Sequence, residues 1–238
     1  MGAYIFSDEE ILAVKTRFPK LELIKPGVWK GVIDFDRVYR DYRIADSYEV
    51  GIIVPVGFPQ AFPIVHELGG RIKTIQEKHK LKTVADLHYN ANNGACLCVI
   101  QEKESRLPTG SDLLFFIENL VSPYFYGLSY FDEQSHWPWK EYGHGGLGVL
   151  EHYTENWKEP DQELMQSLMP TFSADKHWRK YRKQFISPNP NSFCFCESGV
   201  SISICHEKAW EGLLQMSKDL KTLKINSYKF FPKPLRRK

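Results

Sequence analysis

Two groups of residues in this chain of 238 have the types and spacing for chemistry. The first lies in "LHYNANNGACLCVI", Leu87 to Ile100, where His88, Asn90 and Gly94 precede Cys96, with Cys98 two residues on. A thiolate is a strong nucleophile, so an accessible cysteine here suits covalent catalysis. Read alone, the same stretch also fits a buried strand holding two small thiols and an Asn-Asn-Gly turn. The second group is "CFCESGVSISICH", in which Cys194, Cys196, Cys205 and His206 supply three thiolates and an imidazole. That is a complete tetrahedral Zn²⁺ donor set, and the close spacing implies a compact knuckle. The alternative is a β-segment with incidental cysteines.

Two weaker patterns follow. "GHGGLG", Gly143 to Gly148, matches the glycine spacing of a dinucleotide loop. No strand pattern precedes it and no clear helix-forming run follows, so a plain turn is the default, and a flexible loop that brings His144 near an active site suits it better than a dinucleotide site. "KHWRKYRKQF" puts Lys176, Arg179, Lys180 and Lys183 at helical spacing, as a nucleic-acid-binding or acidic-partner face would, or a plain solvated one.

These groups need elements to position them. Ser7 with Glu10 three residues later has the capping-box form, so a helix is expected from about Asp8. "VWKGVIDF", "RVYRDYRIAD" and "YEVGIIVPV" are rich in Val, Ile and Tyr and read as an antiparallel meander. "PVGFPQAFPIVHEL" has too many prolines for a central strand and reads as an irregular or edge segment. "RIKTIQEKHKLKTVADL" reads as a charged loop or short hairpin. "SDLLFFIENLV" has helical spacing after a cap residue, with Pro123 as its expected end. A basic helix over "SADKHWRKYRKQF", a turn or linker at "SPNPNS" and an amphipathic helix over "EKAWEGLLQMSKDLKTL" complete the reading.

The order helix, meander, proline-bearing loop, His-x-Asn, Gly, Cys-Leu, helix resembles the ubiquitin-conjugating enzymes, and in its short His-to-Cys spacing their bacterial relatives. The matching residues are Pro55, Phe58-Pro59, Phe62-Pro63, His88-Tyr89-Asn90, Gly94 and Cys96-Leu97, within residues 5–130. Tyr89 stands where the family has proline, and a charged insert precedes His88. The resemblance implies an α+β ubiquitin-conjugating-like fold: N-terminal helix, antiparallel meander, active-site loop and C-terminal helices. It implies that Cys96 carries a modifier as a thioester, that Asn90 donates to the tetrahedral oxyanion, and that His88 braces the loop. A ubiquitin-like modifier, an activating enzyme and an acceptor protein are the implied partners, and an antiphage defence pathway the implied setting. The second group resembles the SEC-C zinc motif, Cys-Pro-Cys-Gly-Ser-Gly followed by Cys-Cys or Cys-His. Phe195, Glu197 and "VSISI" depart from it, which puts the motif's partner binding in doubt but not metal binding. Three rival functions stay open: a non-catalytic adaptor of the same fold, a Cys-His thiol hydrolase, and a nucleic-acid-binding zinc protein.

Bulk properties agree with a globular protein: 42% hydrophobic and 25% charged residues. Five cysteines suit metal and thiol chemistry in a reducing cytoplasm better than a disulfide framework. The start lacks a secretion-signal pattern, and no apolar run is long and clean enough for a membrane span. From Lys176 onward 14 Lys/Arg face 4 Asp/Glu, which leaves residues 1–175 acidic. The expected domains are a catalytic body over residues 1–155, a basic helical segment and linker over 156–190, and a zinc knuckle with helix and tail over 191–238.

Overall fold

The structure, a computed structural model, describes residues 3–90, 94–97, 103–139, 142–143 and 145–231. The chain forms two compact units, Met1–Lys140 and Glu141–Lys238.

The first unit opens with helix α1, Asp8–Arg17, started by the expected capping box. The Ser7 side chain accepts from the Glu10 N–H at 3.2 Å, and the Glu10 carboxylate accepts from the Ser7 N–H at 2.8 Å. Strands β1 (Leu21–Lys25), β2 (Val28–Tyr39), β3 (Tyr42–Ile53) and β4 (Ile64–Glu67) follow as one antiparallel sheet in chain order. The meander is as expected, but its divisions differ. "RVYRDYRIAD" bends in its middle, where Arg40 and Asp41 both have left-handed φ, 46° and 67°. Two such residues make the tight turn whose twist matches a hairpin. β1 lies outside the segments read as strands. Among the described residues β4 pairs only with β3 and forms the sheet edge, and the prolines Pro55, Pro59 and Pro63 all precede it.

The charged segment after β4 is a helix, α2 (Arg71–Lys78), not a loop or hairpin. Ile72 and Ile75 lie one turn apart and are buried, while Lys73 and Thr74 between them are exposed. After a short helix α3 (Lys103–Arg106), α4 (Leu113–Phe116) is capped by Asp112, whose carboxylate accepts from the Phe115 N–H at 2.7 Å. Pro123 does not end this helix. A π turn, Ile117–Val121, leads into α5 (Ser122–Gln134), and Pro123 sits in the first turn of α5. A proline costs least in a first turn, and the wide π turn relieves the crowding its ring would cause upstream. Phe116, Ile117, Phe125 and Leu128 bury against Trp29, Ile33, Tyr48 and Ile52 of the sheet, with the Tyr48 and Phe125 rings stacked at 4.3 Å. Each such fully buried side chain contributes about 1.5–3 kcal/mol relative to exposure.

The second unit is helical: α6 (Gly146–Asn156), α7 (Gln162–Ala174), α8 (Trp178–Ile186), α9 (Ile202–Cys205) and α10 (Glu207–Thr222). The expected basic and amphipathic helices are α8 and α10. α6 was placed in the catalytic body by the sequence, yet Leu147, Val149, Leu150 and Tyr153 bury in the second core. That core also takes Met165, Phe172, Tyr181 and Phe185 from α7 and α8, so the helical part of residues 156–190 packs into this unit. A helix does follow "GHGGLG", since α6 starts within it. Its glycines serve packing: a Cβ on Gly146 would lie 2.6 Å from the Tyr181 ring, and one on Gly148 would lie 2.0 Å from the Gly143 carbonyl oxygen. His144 lies outside the described residues. Among the described residues no helix is long and apolar enough to cross a membrane.

Candidate functional site

The first candidate site is a tight loop tied to the edge of the sheet. A 3₁₀ turn, Val84–Leu87, delivers the chain to His88, whose φ of 49° bends it back. Tyr89 then bridges Ala95 in antiparallel fashion. Flanking this bridge, the Cys96 N–H donates to the His88 carbonyl at 2.7 Å and the Asn90 N–H donates to the Gly94 carbonyl at 2.8 Å. The register therefore seats Cys96 across from His88 and Gly94 across from Asn90. The His88 and Cys96 side chains are half-buried, and Asn90 is exposed.

Three anchors fix this loop. The Ala95 N–H donates to the Val65 carbonyl on β4 at 2.8 Å. The Tyr89 hydroxyl accepts from the Glu67 N–H at 3.1 Å, so the residue that replaces the resembled family's proline is buried and hydrogen-bonded. The Tyr124 hydroxyl donates to the Leu87 carbonyl at 3.0 Å. Burial pushes the Tyr124 phenol well above its ordinary pKa, which keeps it a proton donor. The His88 ring meets Trp137 edge to face at 4.8 Å between centroids. Tyr124 and Trp137 were not read from the sequence, because a tyrosine in an apolar helix and a tryptophan in an aromatic loop carry no local mark of a distant partner. Cys98 lies outside the described residues.

The second candidate site brings all four expected ligands together. The donor atoms of Cys194, Cys196, Cys205 and His206 lie within 4.8 Å of one another. Cys196 Sγ is 3.4 Å from Cys205 Sγ, and Cys194 Sγ is 3.2 Å from His206 Nδ1. A tetrahedral ion with bonds of about 2.3 Å to sulfur separates its ligands by roughly 3.8 Å, so small shifts close the set around one cation. Phe193 bridges Ser201, and the Cys194 N–H donates to the Val200 carbonyl at 2.8 Å, which holds the Cys-x-Cys turn. Glu197 and Gly199 have left-handed φ, 64° and 79°, within that turn. α9 then turns Cys205 and His206 back toward it. Burial pushes the Cys194 thiol up to about 12; a coordinated cation reverses this by stabilising the thiolate. At Cys196 burial also raises the pKa, but hydrogen bonds with Ser198 and the neighbouring thiols outweigh it and the net shift is downward.

Cys194, Phe195 and Ile202 are part of the second core, and the Phe195 ring meets Tyr181 at 4.0 Å. The knuckle is therefore packed into its unit. Arg179, Lys180 and Lys183 on α8 and Lys176 just before it are exposed, and Lys176 pairs with Glu197 at 3.3 Å. No protein-family model matches the chain, and no curated protein does.

Proposed function

We propose that this chain is a conjugating enzyme for a ubiquitin-like modifier, built on a ubiquitin-conjugating-like fold with a structural Zn²⁺ knuckle. The observation that carries the reading is the loop register: Cys96 across from His88, with Asn90 exposed two residues on. A helix, a four-stranded meander and a long helix after the loop support the fold assignment.

In the first step the Cys96 thiolate attacks the C-terminal carbonyl of a modifier held as a thioester on an activating enzyme. A new C–S bond forms, the old one breaks, and the donor cysteine leaves as thiolate. In the second step an acceptor amine attacks the Cys96 thioester. The C–N bond forms, the C–S bond breaks, Cys96 leaves as thiolate, and the amine proton passes to solvent. Asn90 donates to the oxyanion of the second tetrahedral intermediate, formed as the amine attacks, and His88 holds the loop. Cys194, Cys196, Cys205 and His206 would hold Zn²⁺, whose part is structural: it cross-links the knuckle. The setting is a bacterial-type defence pathway in the cytoplasm.

The test is incubation with an activating enzyme, ATP and the modifier. The wild-type chain forms an adduct that reductant cleaves. Cys96→Ser forms a reductant-resistant oxyester or no adduct, and Cys98→Ser behaves as wild type. A reductant-labile adduct on Cys96→Ser would remove Cys96 as the carrier.

A further inference from the structure

A cavity of about 420 Å³ opens on the first unit, lined by Arg17, Asp36, Arg37, Val38, Tyr39, Pro123, Tyr126 and Trp139. Its charges do not balance. Arg17 Nε pairs with the Glu118 carboxylate at 2.8 Å. Asp36 is taken by Arg43, whose Nε donates to it at 2.7 Å. Arg37 is half-buried, and its guanidinium donates to the Glu118 main-chain carbonyl in the π turn. Among the described residues no carboxylate lies within ion-pair distance of Arg37. Burial pulls the Arg37 guanidinium below its ordinary pKa; the Glu118 carboxylate opposes this and the Arg17 charge adds to it. A partly desolvated cation beside a second cation, with its local carboxylates engaged elsewhere, is stabilised by an anion in the cavity.

The walls select what carries that anion. The Trp139 indole lies edge-on to Tyr39 at 5.8 Å and nearly parallel to Tyr126 at 6.5 Å. The Tyr126 hydroxyl donates to the Tyr42 carbonyl at 2.8 Å and the residue is buried, so it offers no polar group to a ligand. Flat aromatic walls bind flat rings, and a guanidinium fork binds phosphate oxygens in pairs. The volume falls in the range of small-ligand sites, about 300–1,000 Å³.

We infer that this cavity binds a nucleoside monophosphate, its phosphate on Arg37 and its base against Trp139. The inference stands apart from the conjugating reading, since none of these residues is in the Cys96 loop.

Calorimetric titration of the full-length chain tests it, with adenosine 5′-phosphate, adenosine, inorganic phosphate and phosphotyrosine as separate probes. The nucleotide binds with a Kd on the order of 100 μM. Adenosine and inorganic phosphate each bind at least tenfold more weakly, because each lacks one half of the recognition. Arg37→Gln lowers nucleotide affinity at least tenfold, while Arg37→Lys, which keeps the charge and loses the fork, lowers it less. Trp139→Ala also lowers it at least tenfold, and decides the matter should Arg37→Gln fail to fold. Absence of nucleotide binding at millimolar concentration overturns the inference. So does equal binding by the Arg37→Gln or Trp139→Ala chain, or equal binding of phosphotyrosine or of phosphate alone.

Discussion

The main-chain N–H of Cys96 donates to the carbonyl of His88 at 2.7 Å, so the candidate nucleophile and the candidate bracing histidine stand opposite each other beside the Tyr89–Ala95 bridge. This bond is independent of both side chains. Substitutions at His88, Asn90 or Cys96 therefore test chemistry while the loop keeps its backbone ties to β4 and to Gly94.

Asn90 is the cleanest of these. Its side chain is exposed and its backbone N–H holds Gly94, a bond that alanine retains. On the conjugating reading, Asn90→Ala forms the thioester at close to the wild-type rate. Its discharge to a free amine slows roughly a hundredfold, the scale of one lost oxyanion donor. Single-turnover discharge assays measure this, and equal rates would take Asn90 out of the mechanism.

Tyr124 supports the same loop from beneath. Tyr124→Phe removes the donor to the Leu87 carbonyl and leaves that buried acceptor without its partner. The expected loss is about 1–3 kcal/mol of stability. Urea unfolding followed by tryptophan fluorescence checks it, and an unchanged midpoint would show that the loop is not held by this bond.

How far the sequence showed these features depended on whether the signal was local. The α1 capping box was legible because Ser7 and Glu10 are three residues apart and satisfy each other's backbone partners. The cysteine and histidine cluster was legible because its four members fall within 13 residues. α2 was missed because its buried pair, Ile72 and Ile75, is too short a stripe among charges. The passage of the helix through Pro123 was missed because the π turn that accommodates it has no residue signature. The expected domain boundary at residue 155 falls inside α6, because the glycines that open this helix weaken its pattern in the sequence.

Asp46 gives the first unit an acid-sensitive point. Burial works against its ionisation, but hydrogen bonds from Ser129, Arg71 and the Ser47 N–H outweigh burial, so its pKa lies below the ordinary 3.8. Arg71 reaches it at 2.6 Å and lies over the Tyr48 ring at 4.1 Å from its centroid. A carboxyl with a depressed folded pKa contributes stability that is full above its unfolded pKa and is lost as pH falls through the folded one. The contribution is thus present at neutral pH and declines below about pH 4. Asp46→Asn should lower the urea midpoint at pH 7, and the gap to wild type should narrow by pH 3. A gap constant over that range would show that Asp46 ionisation contributes nothing.

The metal centre separates the two cysteine groups. Protein purified without chelator is expected to contain about one zinc per chain, held by Cys194, Cys196, Cys205 and His206. The argument is the donor set and its closeness, with all four donor atoms within 4.8 Å. Cys194 is fully buried beside Phe195 and Ile202, so an ion held there would tie the knuckle into the second core. Structural zinc binding is folding free energy, because the thiolates assemble only with the ion. Chelation should therefore raise amide exchange across residues 192–206, spread into α8 through the Phe195–Tyr181 contact, and leave the sheet of the first unit protected. Cys194→Ser should lose the zinc yet still accept modifier on Cys96. Elemental analysis finding no metal, or zinc that persists after Cys194 and Cys205 are both replaced, would overturn the assignment. Zinc lost on replacing Cys96 would do more damage, because it would make the His88–Cys96 turn part of a metal site and leave the thioester reading without its carrier.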